Sequence, residues 1–178
     1  TVLLPAPCDA VFIALHGAFG EDGGVQTILR ERGIPFTGSS AESCRVAFDK
    51  AESRRRFAAA GLSIAPGTVL CAPTPTPPLP LPVFVKPARQ GSSIGSRRVR
   101  SPEEWPAAFA EAARYGGDVV VEGFIEGREM TVGIVDGEAL PVIEILAPDG
   151  LYDYRAKYTP GLTPVSYTHL TLPTIYSV

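Results

Sequence analysis

Two lysines, a glycine-serine loop and a run of carboxylates are the residues in this 178-residue sequence whose types and spacing suit chemistry. Val83-Phe84-Val85-Lys86 is a short apolar run ending in a lysine. A loop containing Gly91-Ser92-Ser93-Ile94-Gly95 follows, and Arg97-Arg98-Val99 resumes a strand-like pattern. A lysine at a strand edge supplies a point charge, and the N–H groups of a Gly-rich turn supply donors, a combination suited to polyphosphate. The loop is not a Walker P-loop, since no Gly-Lys-Ser/Thr ends it and no helix follows. A solvated hairpin turn with an incidental lysine is the plainer reading of the same residues. Further candidates are His16 and Glu21 in a Gly-rich loop, Lys50 beside Asp49, and Glu122 through Glu129 around the end of an apolar run. Lys157 lies in Tyr152-Asp153-Tyr154-Arg155-Ala156-Lys157-Tyr158, a segment dense in groups that can anchor an anion.

These residues need elements to position them. Residues 10–15 form a continuous apolar run closed by His16-Gly17-Ala18-Phe19-Gly20-Glu21. That pattern predicts a fully buried parallel strand with a functional loop at its carboxyl end. A histidine satisfied by backbone in a tight turn is the alternative for His16. Residues 25–32 predict a helix stopped by Gly33, and residues 34–38 a second strand, completing a βαβ unit. Residues 40–50 predict a helix with Ser43, Cys44, Ala47 and Phe48 inward. Residues 51–60 predict another, stopped by Gly61, with a hinge at Asp49-Lys50 between them. Arg54-Arg55-Arg56 reads as a solvated helix face.

Residues 64–70 lead into a strand, and the proline-rich stretch 73–82 predicts an extended polyproline linker. Arg98 is expected to point outward from the hairpin that follows. Ser101-Pro102-Glu103-Glu104 predicts a capping box at a helix start, with Trp105, Phe109, Ala112 and Ala113 on the apolar face. Residues 118–122 predict a strand ending in Glu122. Residues 130–135 and 138–145 predict a hairpin turning at Asp136-Gly137.

Composition narrows the class. The length suffices for one real core or parts of two small domains. A net charge of −3 argues against a general nucleic-acid binder. No apolar run approaches the roughly 20 residues of a membrane helix, and no basic, apolar leader opens the chain. Cys8, Cys44 and Cys71 are widely spaced and odd in number, which suits neither a zinc site nor a disulfide framework and points to a reducing cytoplasm.

Two lysines, a Gly-Ser lid and strand-end carboxylates that can read an adenine amino group and a ribose are the layout of an ATP-grasp site. The ordered set Leu15-His16-Gly17 with Gly20-Glu21-Asp22-Gly23, Pro35-Phe36-Thr37-Gly38-Ser39, Asp49-Lys50, Val85-Lys86-Pro87 with Gly91-Ser92-Ser93-Ile94-Gly95, and Tyr152 to Tyr158 resembles the D-alanine–D-alanine ligase family. The resemblance covers roughly residues 10–163. It implies an α/β, ATP-grasp fold: a partial Rossmann-like N-terminal lobe over 1–49, a central lobe over 50–129 and the start of a C-terminal lobe over 130–164.

It also implies roles. Lys50 and Lys86 would contact ATP phosphates, and Ser93 would lie on the loop that covers them. Glu122, Gly123, Phe124 and Ile125 would face the adenine, and Glu129 would hold the ribose. His16 would sit beside the first of two D-alanine molecules. Glu21 would lie near Lys157, which would stabilise the transferred phosphate. Ser92 and Tyr158 would close the site, and a tyrosine at 158 resembles the enzymes that make the dipeptide rather than D-alanyl-D-lactate. Magnesium or manganese is implied as well, with the family's Asp/Glu/Asn metal set lying in a C-terminal part that is missing from this sequence. The family's opening Gly-rich strand and loop is likewise missing, so this fragment is expected to be inactive alone. The resemblance also implies a homodimeric parent. Residues 165–178 leave the family pattern. Val165-Ser166-Tyr167-Thr168-His169-Leu170 resembles one frame of a transposase-end sequencing adapter, so the tail is expected to be non-native.

Overall fold

The computed structural model describes residues 8–146, 157 and 159–160, and the backbone of 165–167. The chain divides into two compact units, residues 1–124 and 125–178.

The first unit departs at once from the expected buried strand. Of the run 10–15, only Val11 pairs, in one parallel bridge to Phe36. The Val11 N–H donates to the Pro35 carbonyl at 2.9 Å, and the Thr37 N–H donates to the Val11 carbonyl at 3.1 Å. Phe12 is 79% exposed and Leu15 is exposed too. A six-residue apolar run is buried only when both its faces are covered, and among the described residues its one strand-like partner is Phe36. The crossover between the two bridge residues is α1 (Gly24–Glu31), which buries Val25 and Leu29 one turn apart. Gly33, at φ 68°, ends it.

In α2 (Ala41–Phe48) the Ser40 hydroxyl caps the N-terminus by accepting from the Ser43 N–H at 3.2 Å. The inward stripe is Ala41, Cys44 and Phe48, at helical spacing, whereas Ser43 and Ala47, expected inward, are exposed. Asp49 then takes an extended conformation, φ −91° and ψ 103°, and breaks the helix. Its Oδ1 accepts from the N–H groups of Ala51 and Glu52 at 3.0 and 3.1 Å, so it starts α3 (Lys50–Ala59) as it stops α2.

Four antiparallel strands follow: β1 (Gly67–Leu70), β2 (Val83–Pro87), β3 (Arg97–Val99) and β4 (Val119–Gly123). Their order in the sheet is β1-β4-β2-β3. The central strand β4 carries Val119-Val120-Val121, all buried, as a strand covered on both faces must. On one face Val83, Val85, Val99, Val119 and Val121 pack under Trp105, Ala108, Phe109 and Ala112 of α4 (Trp105–Ala113). The expected capping box is replaced by a 3-10 turn over Pro102–Glu104 without a side-chain cap from Ser101. The Glu104 carboxylate reaches back to the Arg100 N–H instead, at 2.8 Å.

The proline-rich stretch is extended but is no free linker. Leu79 and Leu81 pack on the core, and the Trp105 indole N–H donates to the Thr74 carbonyl at 2.8 Å.

The second unit holds β5 (Glu129–Thr131), β6 (Ile134–Val135), β7 (Glu138–Ala139), β8 (Ile143–Ile145) and β9 (Val165–Tyr167). The turn is where the sequence puts it: Asp136 and Gly137 both have positive φ, 51° and 85°, and Val135 pairs with Glu138. The single long hairpin expected here is instead two pairings, β6 with β7 and β5 with β8. Pro141 has no N–H to extend the ladder. The Leu140 N–H turns to the Gly133 carbonyl at 2.8 Å, and the ladder resumes only at Ile143. The backbone of β9, at the start of the adapter-like tail, pairs antiparallel with β8.

Candidate functional site

Strand alternation decides which side chains leave the core. With Val83 and Val85 under α4, Phe84 and Lys86 project to the opposite face of β2. The register pairs Phe84 with both Glu122 and Arg98, and Lys86 with Val120, so all five share that face. Helix α3 stands over part of it. Between them lies a cleft of about 390 Å³ whose polar wall is Lys50, Arg54, Lys86 and Glu122 and whose apolar wall includes Ala47, Phe57 and Ile64.

Glu122 is held from two sides. Lys86 Nζ meets its Oε2, and Arg54 Nη1 meets its Oε1. The Arg54 and Glu122 side chains are each only 14% exposed, and Arg54 Nη2 also donates to the Ala65 carbonyl at 2.8 Å. Arg54 is therefore not part of the solvated face expected of it. Arg55 and Arg56 are, and they pair with Glu52 on the exposed side of α3, holding that carboxyl at a pKa of about 2. Arg98 also departs from expectation. It points onto the cleft's face of the sheet, with its guanidinium 4.7 Å over the Phe124 ring and its buried Nε making no hydrogen bond to the described residues.

Lys50 reaches the lid. Its Nζ donates to the Gln90 carbonyl and its N–H to the Ala88 carbonyl, the latter at 2.9 Å. Asp49 Oδ2 accepts from Arg89 Nε at 2.7 Å. The expected hinge is thus tied to the strand exit that carries the Gly-Ser loop. In that loop Ser92 and Ser93 both have positive φ, 53° and 58°, and the Ile94 N–H donates to the Gly91 carbonyl at 3.1 Å. Two successive left-handed residues closing on such a bond form a tight turn that L side chains adopt only under strain. Glu21 lies against this loop, since a Cβ on Gly91 would stand 3.5 Å from its Oε2. The same oxygen accepts from the Gly17 N–H at 2.7 Å. His16 is exposed beside it.

The remaining candidates divide by unit. The Gly123 and Phe124 N–H groups donate to the Pro66 and Pro82 carbonyls at 2.8 and 3.0 Å, so neither is a ligand donor without breaking those bonds. Ile125, 66% exposed, and Glu129, on β5, belong to the second unit, as does the half-buried Lys157. Tyr158 and residues 152–156 lie outside the described residues. Among the described residues no three His, Cys, Asp or Glu side chains converge to hold a metal ion.

The Asp49 carboxyl is raised by burial but lowered more by Arg89 and the two α3 N–H groups, and its pKa falls below the ordinary value. A depressed folded-state pKa contributes stability above the ordinary carboxylate pKa of 3.8 and loses it as pH falls through the folded value. Asp49→Ala is therefore expected to lower unfolding stability by about 1–2 kcal/mol at pH 7, chiefly through the lost cap. Urea unfolding at stepped pH should show the gap to wild type closing below about pH 4. A gap that stays constant into acid would mean that the Asp49 charge contributes nothing.

Sequence reasoning missed Arg54, Phe57 and Ile64. The signal was present for two of them: Lys50, Ser53, Arg54 and Phe57 have the i, i+3, i+4, i+7 spacing of one helix face.

Two family descriptions match the chain, "D-ala D-ala ligase N-terminus" over residues 4–39 and "D-ala D-ala ligase C-terminus" over residues 75–174. It is 51% identical over 154 residues to a D-alanine–D-alanine ligase of Citrifermentans bemidjiense, covering 86% of this chain and 50% of that one. A ligase of the same name from Methylacidiphilum infernorum is 46% identical, with 89% and 52% covered. Among solved structures, D-alanyl-alanine synthetase A from Vibrio cholerae superposes with a TM-score of 0.78 at 28% identity, over 94% of this chain and 55% of that one. D-alanine–D-alanine ligase from Bacillus anthracis gives 0.75 at 32%, over 91% and 55%. The chain spans about half the length of the relatives it matches.

Proposed function

The chain belongs to the D-alanine–D-alanine ligase family, and from this we propose that it carries the nucleotide-holding part of an ATP-dependent ligase that joins two D-alanine molecules for peptidoglycan precursors. The observation that carries the reading is the convergence of Lys50, Lys86 and Glu122 on one cleft of about 390 Å³. Lysines 50 and 86 attract the phosphates, and Glu122 accepts from the adenine amino group. Family resemblance assigns main-chain adenine contacts to Gly123, Phe124 and Ile125, the ribose to Glu129, and the closing hydrogen-bonded set to Ser92 and Tyr158, with Ser93 on the covering loop.

ATP supplies the γ-phosphoryl group that converts one D-alanine carboxylate to an acyl phosphate, whose phosphate leaves when the second D-alanine's amine attacks. Both steps gather negative charge on phosphoryl oxygens, which ammonium groups and fixed N–H donors stabilise. Lys86 and Lys50 do this from the cleft, and Lys157 is assigned the transferred phosphate. His16 is assigned the first D-alanine, with Glu21 fixed by the Gly17 N–H in the neighbouring loop. The family's divalent metal finds no site among the described residues.

Residues 1–49, 50–129 and 130–164 are read as parts of three lobes, 165–178 as a non-native tail, and the parent as a cytoplasmic homodimer. No helix among the described residues is long and apolar enough to cross a membrane.

The test is product analysis on the protein from the complete reading frame, with D-alanine and D-lactate competing. The reading expects ADP, phosphate and dipeptide in equal amounts. ATP binding without any ligation would replace it with a non-catalytic binding module, and depsipeptide as the main product would replace it with a D-alanine–D-lactate ligase.

A further inference from the structure

We propose that Arg54 is a positioning residue for Glu122, admitted to it by a notch at Gly67, and that it sets the preference of the cleft for a 6-amino purine. The inference rests on the nucleotide reading above.

The geometry is a fork. Arg54 leaves α3 and spans to the sheet, one nitrogen on Glu122 Oε1 and the other on the Ala65 carbonyl. A planar guanidinium tied at two points fixes the plane and height of the carboxylate it holds, which a single ammonium does not. Gly67 stands directly opposite Glu122 in the β1–β4 register. A Cβ there would lie 2.6 Å from Arg54 Nη2 and 2.8 Å from the Val121 carbonyl oxygen. A side chain at 67 would therefore occupy the path by which Arg54 crosses the strand.

Charge explains why two cations attend one carboxylate. Lys86 and Glu122 are assigned different parts of the nucleotide, the phosphates and the base. As Lys86 swings toward phosphate it leaves Glu122 Oε2, and a carboxylate this buried is costly without a counter-charge. Arg54 stays on Oε1, holds Glu122 in place, and leaves Oε2 to accept from a purine amino group. Lys86 thus governs how tightly any nucleoside triphosphate binds, whereas Arg54 governs which base is preferred.

The experiment is equilibrium binding of ATP and of inosine triphosphate, which carries an oxo group where ATP carries the amino group. Both are titrated into wild type, Glu122→Gln, Arg54→Met and Arg54→Lys, with a thermal melt of each variant. Wild type is expected to prefer ATP. Arg54→Met is expected to lose that preference by roughly tenfold through weaker ATP binding, inosine triphosphate being little changed. Arg54→Lys, which keeps the charge but not the fork, is expected to fall between. If Arg54→Met fails to melt cooperatively, Arg54→Lys decides alone: an intermediate preference supports the proposal and a wild-type preference overturns it. Equal weakening of both nucleotides in a folded Arg54 variant also overturns it. Wild type binding neither nucleotide would overturn the nucleotide reading itself. A preference that Glu122→Gln alters and Arg54→Met leaves alone would overturn only the role of Arg54.

Discussion

Lys86→Ala is expected to weaken ATP binding on the order of a hundredfold, and Arg98→Ala by no more than about threefold, both read by isothermal titration. The two cations share one face of the sheet, so exposure does not separate them. Position does. Lys86 lines the cleft and contacts Glu122, whereas the Arg98 guanidinium is stacked on the Phe124 ring. At an effective dielectric constant near 20, a unit charge about 4 Å from a phosphate is worth roughly 4 kcal/mol before desolvation is subtracted. Removing Lys86 also leaves Glu122 less compensated, which repels an incoming anion. Equal affinities in wild type and Lys86→Ala would remove Lys86 from the phosphate site, and a larger loss in Arg98→Ala would move that site toward β3.

The second large effect is on stability. Trp105→Ala is expected to lower unfolding free energy by about 3–5 kcal/mol in urea titration. Trp105 is fully buried beneath the sheet, and its ring lies 5.7 Å from that of Phe109. Its indole N–H also fastens the proline-rich stretch through the Thr74 carbonyl. Trp105→Phe keeps most of the apolar volume and loses that bond, so a much smaller loss is expected from it. A Trp105→Ala loss under about 1 kcal/mol would mean that α4 does not cover the main core.

The parts of the fold that were legible in the sequence carry their own pattern. Val83 to Pro87 alternates between core and cleft, Val119 to Val121 is apolar throughout because β4 is central, and Trp105, Phe109 and Ala112 repeat at helical spacing. The run 10–15 has an equally strong pattern and misleads, because burial depends on covering elements that the run itself does not encode. Lys86 and Glu122 were both legible as strand-end residues, but their pairing was not. It follows from the β2–β4 register, which sets Phe84 opposite Glu122 and leaves Lys86 two residues along on the same face. Arg54 was hidden by its neighbours. Three consecutive arginines look alike along the chain, yet a helix turns about 100° per residue, and only the first of the three lies on the Lys50 face. The roles implied for Ile125, Glu129, Lys157 and Tyr158 come from resemblance and remain proposals.

ATP is expected to occupy the cleft between α3 and the sheet. Chemical-shift mapping of isotope-labelled protein during an ATP titration tests it most directly. Saturable shifts are expected to concentrate at Lys50, Lys86, Gly91 to Ile94 and Glu122, with the α4 side of the sheet unmoved. Saturable shifts centred elsewhere, or none at millimolar ATP, would contradict it.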